Sequence, residues 1–236
     1  IDRDNLTLKL VGKGNTPISL GSLTKNHFEI TVRNITKKPN KIIAFPNYFD
    51  AQRFSKNNAE IGKLIIKREF KKVTKLLGEN HYCVKEYSQK KSTDFVGAIR
   101  TLPIKIIMLY IHSYQSKLFN RLLNNHIKEN YKCKTIKTSF GELSFPLEKI
   151  KQINLPLIGF ETKETLKVIE ILKKEKITPR DFIIRQLPNL SQQGQLRQGF
   201  RTISDLKISY LKKDEFNKDK KKIVLSFSLS KGSYAT

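Results

Sequence analysis

Positions 45–55 read FPNYFDAQRFS, a short run that holds four aromatic rings together with an asparagine, a glutamine, an arginine and a proline. Asn47, Gln52 and Arg53 interrupt Phe45, Tyr48, Phe49 and Phe54 with neither the period of two of a strand nor the 3.6 of a helix. Such a mixture suits recognition of a flat ring. Aromatic faces stack on a nucleobase, an amide reads its hydrogen-bonding edge, and a guanidinium holds a phosphate or an acid. A second reading needs no ligand: a proline-initiated loop whose rings seal the end of a hydrophobic core. Composition leaves both open.

Other arrangements carry less chemistry. Gly12, Gly14 and Pro17 lie in a turn without the strand-turn-helix context of a dinucleotide fingerprint. His27, His81, His112 and His126 lack metal-ligand spacing with a partner acid or cysteine, so no metal site is expected. Cys83 and Cys133 are too far apart to suggest a disulfide framework or zinc site, and no serine or cysteine sits in a nucleophile-elbow context.

The formal net charge is +25, from 46 Lys and Arg against 21 Asp and Glu in 236 residues. A surplus of that size attracts polyanions, and nucleic acid is the expected partner. The lysines run from Lys9 to Lys231, which argues for a folded basic face over a disordered arm. Residues 104–111, the most apolar stretch, are too few to span a bilayer and include Lys105, so a cytoplasmic protein without a membrane segment is expected.

The elements that would position these residues can be read from periodicity. Residues 27–34 alternate as a half-buried strand, with Phe28, Ile30 and Val32 on one face. Ile61, Leu64, Ile65, Val73, Leu76 and Leu77 recur at helical spacing and predict one amphipathic helix ending at Gly78. From 79 to 92 the periodicity fades, as at a crossing into a second domain. A long helix follows Pro103, with Leu109, His112, Phe119, Leu122, Leu123 and Ile127 on a stripe that reads as core, and another covers about 165–174. The last segment predicts a hairpin: Leu206, Ile208 and Tyr210 alternate, residues 212–222 form a charged connection, and residues 223–229 alternate again before Ser230, Lys231, Gly232, Ser233, Tyr234, Ala235 and Thr236.

FPNYFDAQRFS followed far downstream by LSFSLSKGSYAT resembles the TruD family of tRNA pseudouridine synthases, in which an asparagine-aromatic-phenylalanine block and a terminal GS-aromatic-AT strand line one pocket. IHSYQSKLFNRLLNN (111–125) resembles the family's helix, LPLIGFET (155–162) and LSQQGQLRQGF (190–200) its archaeal-type members, and TPISLGSLTKNHFEITVRN (16–34) the segment before the aromatic block. The resemblance implies an α+β fold: a catalytic domain with a mixed, mainly antiparallel sheet plus helices over residues 1–78 and 199–236, interrupted by an insertion domain over 79–198. It implies isomerisation of a uridine in folded RNA, most simply tRNA, by base flipping and glycosidic-bond rearrangement, with no cofactor. Asn47 and Tyr234 would contact the flipped nucleotide and Phe49 would stack in or beside the pocket. Arg53 would order a phosphate or cap a carbonyl in its own loop.

The family's catalytic aspartate lies in a G-x-K-D-x-x-A type segment that this sequence does not display. Asp2 and Asp4, in IDRDNL, lack that context, so no catalytic residue is assigned, and the chain reads as a fragment of the enzyme. A non-catalytic RNA-binding protein on the same scaffold is the alternative, and a ribosomal or DNA-associated basic protein is favoured by charge alone. Asp50 stands where the family usually has glycine. It is expected to substitute for glycine at a positive φ, with a relocated nucleophile as the other reading.

Overall fold

The expected mixture of helices and antiparallel strands is present in the computed structural model, which describes residues 2–3, 6–7, 9–15, 17 and 22–233. Asp4 and Tyr234 lie outside these residues. Packing divides the chain into two compact units, one of Ile1–Lys38 with Ser204–Ser233 and one built on Pro39–Ile203.

In the first unit the alternating strand extends over Lys25–Ile35 and pairs antiparallel with Lys221–Ser230. The register sets Phe28 opposite Phe227, and the rings stack with centroids 5.5 Å apart. Lys221–Ser230 pairs in turn with Ser204–Ile208 and Lys212–Lys213, which closes the expected hairpin. Register shifts occur beside two polar residues with left-handed backbone, Asn34 (φ 57°) and Asp205 (φ 58°). Asn and Asp adopt that conformation at lower cost than branched residues, so the extra residue of a bulge settles there.

The charged connection is not an open loop. Asp214 is buried and gathers it, accepting hydrogen bonds from the backbone N–H groups of Asn34 (2.8 Å) and Phe216 (3.0 Å), from Asn217 Nδ2 (2.8 Å) and from Arg33 (3.3 Å). Burial raises the carboxyl's pKa, but these four donors outweigh it and hold the value at about 2. The folded state therefore binds this proton less tightly than the unfolded chain, so Asp214 contributes stability above pH about 4 that is lost as the pH falls toward 2. Amide exchange in residues 212–222 is expected to accelerate over that window, and Asp214→Asn should remove much of the pH dependence.

In the second unit the central element is the helix Ile104–Asn130. It lies between two apolar clusters. Ile107, Ile111, Tyr114, Leu118 and Leu122 face one, with the helices Asn58–Ile66, Phe70–Gly78 and Leu166–Glu175. Phe119, Leu123 and Ile127 face the other, with Tyr48, Phe49, Phe54 and Phe200. Phe119, Leu122, Leu123 and Ile127 thus pack as core, whereas His112 is half-buried and Leu109 is exposed. At Gly62 the helices approach so closely that an added Cβ would lie 2.1 Å from the Tyr110 carbonyl oxygen, which only glycine permits.

The single helix expected to end at Gly78 is two, Asn58–Ile66 and Phe70–Gly78. Arg68 breaks it with φ 59°, while Glu69 N–H returns to Leu64 O (2.9 Å). The Arg68 guanidinium is anchored on Asp181 (3.2 Å) and the Ile183 carbonyl (3.0 Å), more than a hundred residues away in sequence. Residues 79–92, where periodicity fades, contain a further helix, Tyr82–Lys90; Val84 is its one buried residue, which leaves no stripe to read.

Three antiparallel strand pairs complete the unit: Ala44–Pro46 with Phe200–Thr202, Cys133–Thr138 with Gly141–Pro146, and Asn154–Leu157 with Gln195–Gln198. No helix of the described residues is long and apolar enough to cross a membrane.

Candidate functional site

The strand Ala44–Pro46 delivers Asn47 to the point where the chain leaves its pairing with Phe200–Thr202. Asn47 N–H donates to Gly199 O at 2.8 Å, and its side-chain Nδ2 donates to Gln198 O at 3.0 Å. The side chain is 1 % exposed, and Oδ1 accepts no hydrogen bond from any described residue. A buried acceptor left unpaired costs about 1–3 kcal/mol, so this oxygen is a place where an incoming N–H would be favoured.

Phe49 is held two residues on by a reciprocal amide clasp. Asn120, buried on the central helix, accepts from Phe49 N–H (2.9 Å) and donates to Phe49 O (2.7 Å). The Phe49 ring is 4 % exposed, meets Phe119 edge-on at 5.7 Å, and carries the Arg197 guanidinium 4.2 Å from its centroid. Arg197 also reaches Asn47 O at 3.4 Å, tying asparagine and phenylalanine together from the strand Gln195–Gln198. Such cation–π contacts contribute about 0.5–2 kcal/mol each. Asn120→Ala would remove both of these bonds from the buried Phe49 backbone; we expect a loss of about 2–4 kcal/mol in urea unfolding.

Two other rings of the block, Tyr48 and Phe54, belong to the core, whereas Phe45 is half-buried. Tyr48 is buried, its hydroxyl donating to Ser144 O (3.0 Å) and accepting from Ser144 N–H (3.3 Å), and burial raises its pKa well above the ordinary phenol value against the effect of that bond. Phe54 stacks on Phe140 at 5.0 Å. Arg53 points back toward the central helix, where Nε donates to Ser116 Oγ (3.2 Å) and the guanidinium lies 5.5 Å from the Phe49 centroid.

Asp50 departs from expectation. Its φ of −103° and ψ of 179° are ordinary extended backbone, so it does not replace glycine on conformational grounds. It occupies the N-cap of the short helix Ala51–Phe54, its carboxylate making no cap bond and no hydrogen bond or ion pair with a described residue. The left-handed residue of the turn is Ser55, with φ 45°.

The structure thus brings together Asn47, Phe49 and Arg53, and adds Arg197 and Asn120, which the sequence reading did not single out as a site. Their signal was faint: an arginine in LRQGF and an asparagine beside an apolar stripe. Asp4 and Tyr234 lie outside the described residues. No group of three or more His, Cys, Asp or Glu among the described residues is placed to hold a metal ion.

On this α+β scaffold a buried amide with a spare acceptor lies next to a guanidinium seated on an aromatic ring, groups whose chemistry suits the edge and face of a flat heterocycle. The family model described as tRNA pseudouridine synthase D (TruD) matches residues 1–89, 79–139 and 147–236, and the chain belongs to that family. The probable tRNA pseudouridine synthase D of Nanoarchaeum equitans is 33% identical over 277 residues, covering 99% of this chain and 69% of that protein. Probable tRNA pseudouridine synthase D 1 of Methanococcus maripaludis is 30% identical over 304 residues, covering 100% and 76%. The solved TruD structure from Methanosarcina mazei shares the fold, with a TM-score of 0.75 at 23% identity over 97% of this chain and 70% of that one.

Proposed function

We propose that the protein isomerises a uridine in tRNA to pseudouridine. In that reaction the bond between N1 and C1′ breaks, the uracil turns, C5 bonds to C1′, the proton on C5 leaves to solvent, and N1 takes up a proton in its place. Electrons balance without an oxidant, a reductant or a cofactor. The target base must leave its stack to be reached. In this reading the everted uracil enters beside Asn47, whose Oδ1 accepts from the ring N3–H, while Arg197, backed by Phe49, offers the flat guanidinium on which a base can lie. The observation that carries the reading is the buried Asn47 Oδ1, which accepts from no described residue and whose burial is offset by a donor on the substrate.

Tyr234 is assigned to the same nucleotide on the family resemblance. Lysines of the +25 chain would hold the tRNA through phosphates, so binding should weaken steeply with salt. The tRNA substrate makes the cytoplasm the expected place of action. The test uses the departing C5 proton: full-length protein is incubated with tRNA transcripts carrying tritium at C5 of uridine. Release of tritium, with pseudouridine identified by nucleoside chromatography, supports the activity. Bound tRNA that keeps all of its tritium would sink it and leave an RNA-binding protein.

A further inference from the structure

Arg53 touches Phe49 with its guanidinium and also lines a cavity of about 360 Å3, at the lower end of the size range of small-ligand pockets. His112, Gln115 and Ser116 of the central helix line it too, with Gln192 and Gln195 from the segment leading into the strand Gln195–Gln198. The lining is dominated by carboxamides. Gln115 is 5 % exposed and donates from Nε2 to Ile158 O (2.8 Å), which fixes the amide and leaves Oε1 accepting from no described residue. Gln192 donates from Nε2 to Leu190 O (2.8 Å), so its Oε1 faces His112 Nε2 at 3.1 Å and requires that nitrogen to carry the proton. Burial, and secondarily the charge of Arg53, lowers the His112 pKa against the opposing effect of the Gln192 bond, so the imidazole is neutral at pH 7. The Gln195 side chain makes no hydrogen bond with a described residue.

The cavity is also preformed. Phe160 N–H donates to Gln192 O (2.8 Å) and Glu161 N–H to Gln193 O (3.0 Å), while a Cβ on Gly159 would lie 2.3 Å from Gly194 N. That packing pins the glutamine loop against residues 159–161. One guanidinium with four amides, those of Gln115, Gln192, Gln193 and Gln195, is a poor phosphate clamp, which needs several cations or convergent N–H groups. Fixed amides with a spare acceptor instead suit the edge of a heterocycle, where donors and acceptors alternate.

We infer that this cavity receives the base of a nucleotide flanking the isomerised uridine, and that Gln115, Gln192 and Gln195 read its edge. The assignment rests on the preceding reading of Asn47 and Phe49 as the uridine site, to which Arg53 is the physical bridge. Sequence preference next to the target then arises from the protein, separately from recognition of the uridine.

The test is a pool of RNA hairpins with one fixed loop uridine and randomised neighbours, bound to full-length protein and sequenced after retention. Wild type should enrich one base at one neighbouring position by about 10-fold, the discrimination of a well-placed amide pair. Gln192→Ala and Gln195→Ala should bring that enrichment to near unity while the requirement for the fixed uridine persists. Exposed Gln195 guards against a folding artefact at Gln192. Retention without preference at any neighbour, or a preference unchanged in both variants, overturns the inference. A second pool with cytidine at the fixed position reports on the uridine site alone, so failure there is seen separately from failure at the cavity.

Discussion

Asn47→Leu is expected to leave the protein folded and to lower kcat/KM for pseudouridine formation by about 10- to 100-fold, the value of one or two buried hydrogen bonds to the reacting base. The near-neutral stability follows from opposing effects. Leucine has a similar shape, it removes the buried Oδ1 that has no described partner, and it gives up the bond from Nδ2 to Gln198 O. One change relieves a cost and the other incurs one, each about 1–2 kcal/mol, so the melting temperature should move by only a few degrees. Thermal unfolding followed by circular dichroism, alongside tritium release, separates the two quantities. A variant that melts like wild type and still modifies tRNA at the wild-type rate would remove Asn47 from the site.

Glu175→Ala should lower stability by about 2–4 kcal/mol, or roughly 5–15 °C in melting temperature. The Glu175 carboxylate is buried at the end of the helix Leu166–Glu175 and joins three helices, pairing with Lys63 Nζ at 2.6 Å and with Arg121, and accepting from the Tyr114 hydroxyl at 3.0 Å. Truncation leaves the Tyr114 hydroxyl buried without that acceptor. Lys63 and Arg121 are partly exposed and can recover water, which places the estimate at the lower side of the range for breaking a buried pair. The ion pair between Glu129 and Lys167 connects two of these helices on the surface, and Glu129→Ala should cost less than about 1 kcal/mol. Equal losses in the two variants, measured by urea unfolding, would show that burial is not what makes Glu175 count.

What could be read from the residues alone follows from range. The strand Lys25–Ile35 and the helix Ile104–Asn130 declare themselves by local period, and the block around Asn47 by a composition that no strand or helix explains. The family resemblance rests on the same blocks, and the matched family agrees with it. The break at Arg68 was hidden because both halves keep helical spacing and its anchors, Asp181 and Ile183, are remote. Arg197 was hidden for the same reason: an arginine in a polar loop has no partner until the strand Gln195–Gln198 sets it on Phe49. Asp50 was misjudged from residue type, since a residue that tolerates a positive φ need not adopt one. The connection around Asp214 read only as a charged tract because the network depends on Asn34, 180 residues distant.

Among the described residues the strand Lys25–Ile35 pairs on one side only, with Lys221–Ser230. Lys25, Glu29 and Arg33 put charge along that margin, and the kink at Asn34 turns its end out of line. A flat apolar border would template fibril growth; this one disfavours docking by a like segment from another molecule. The side-chain order that tells the strand which way to face therefore also works against pairing with a like strand of another molecule.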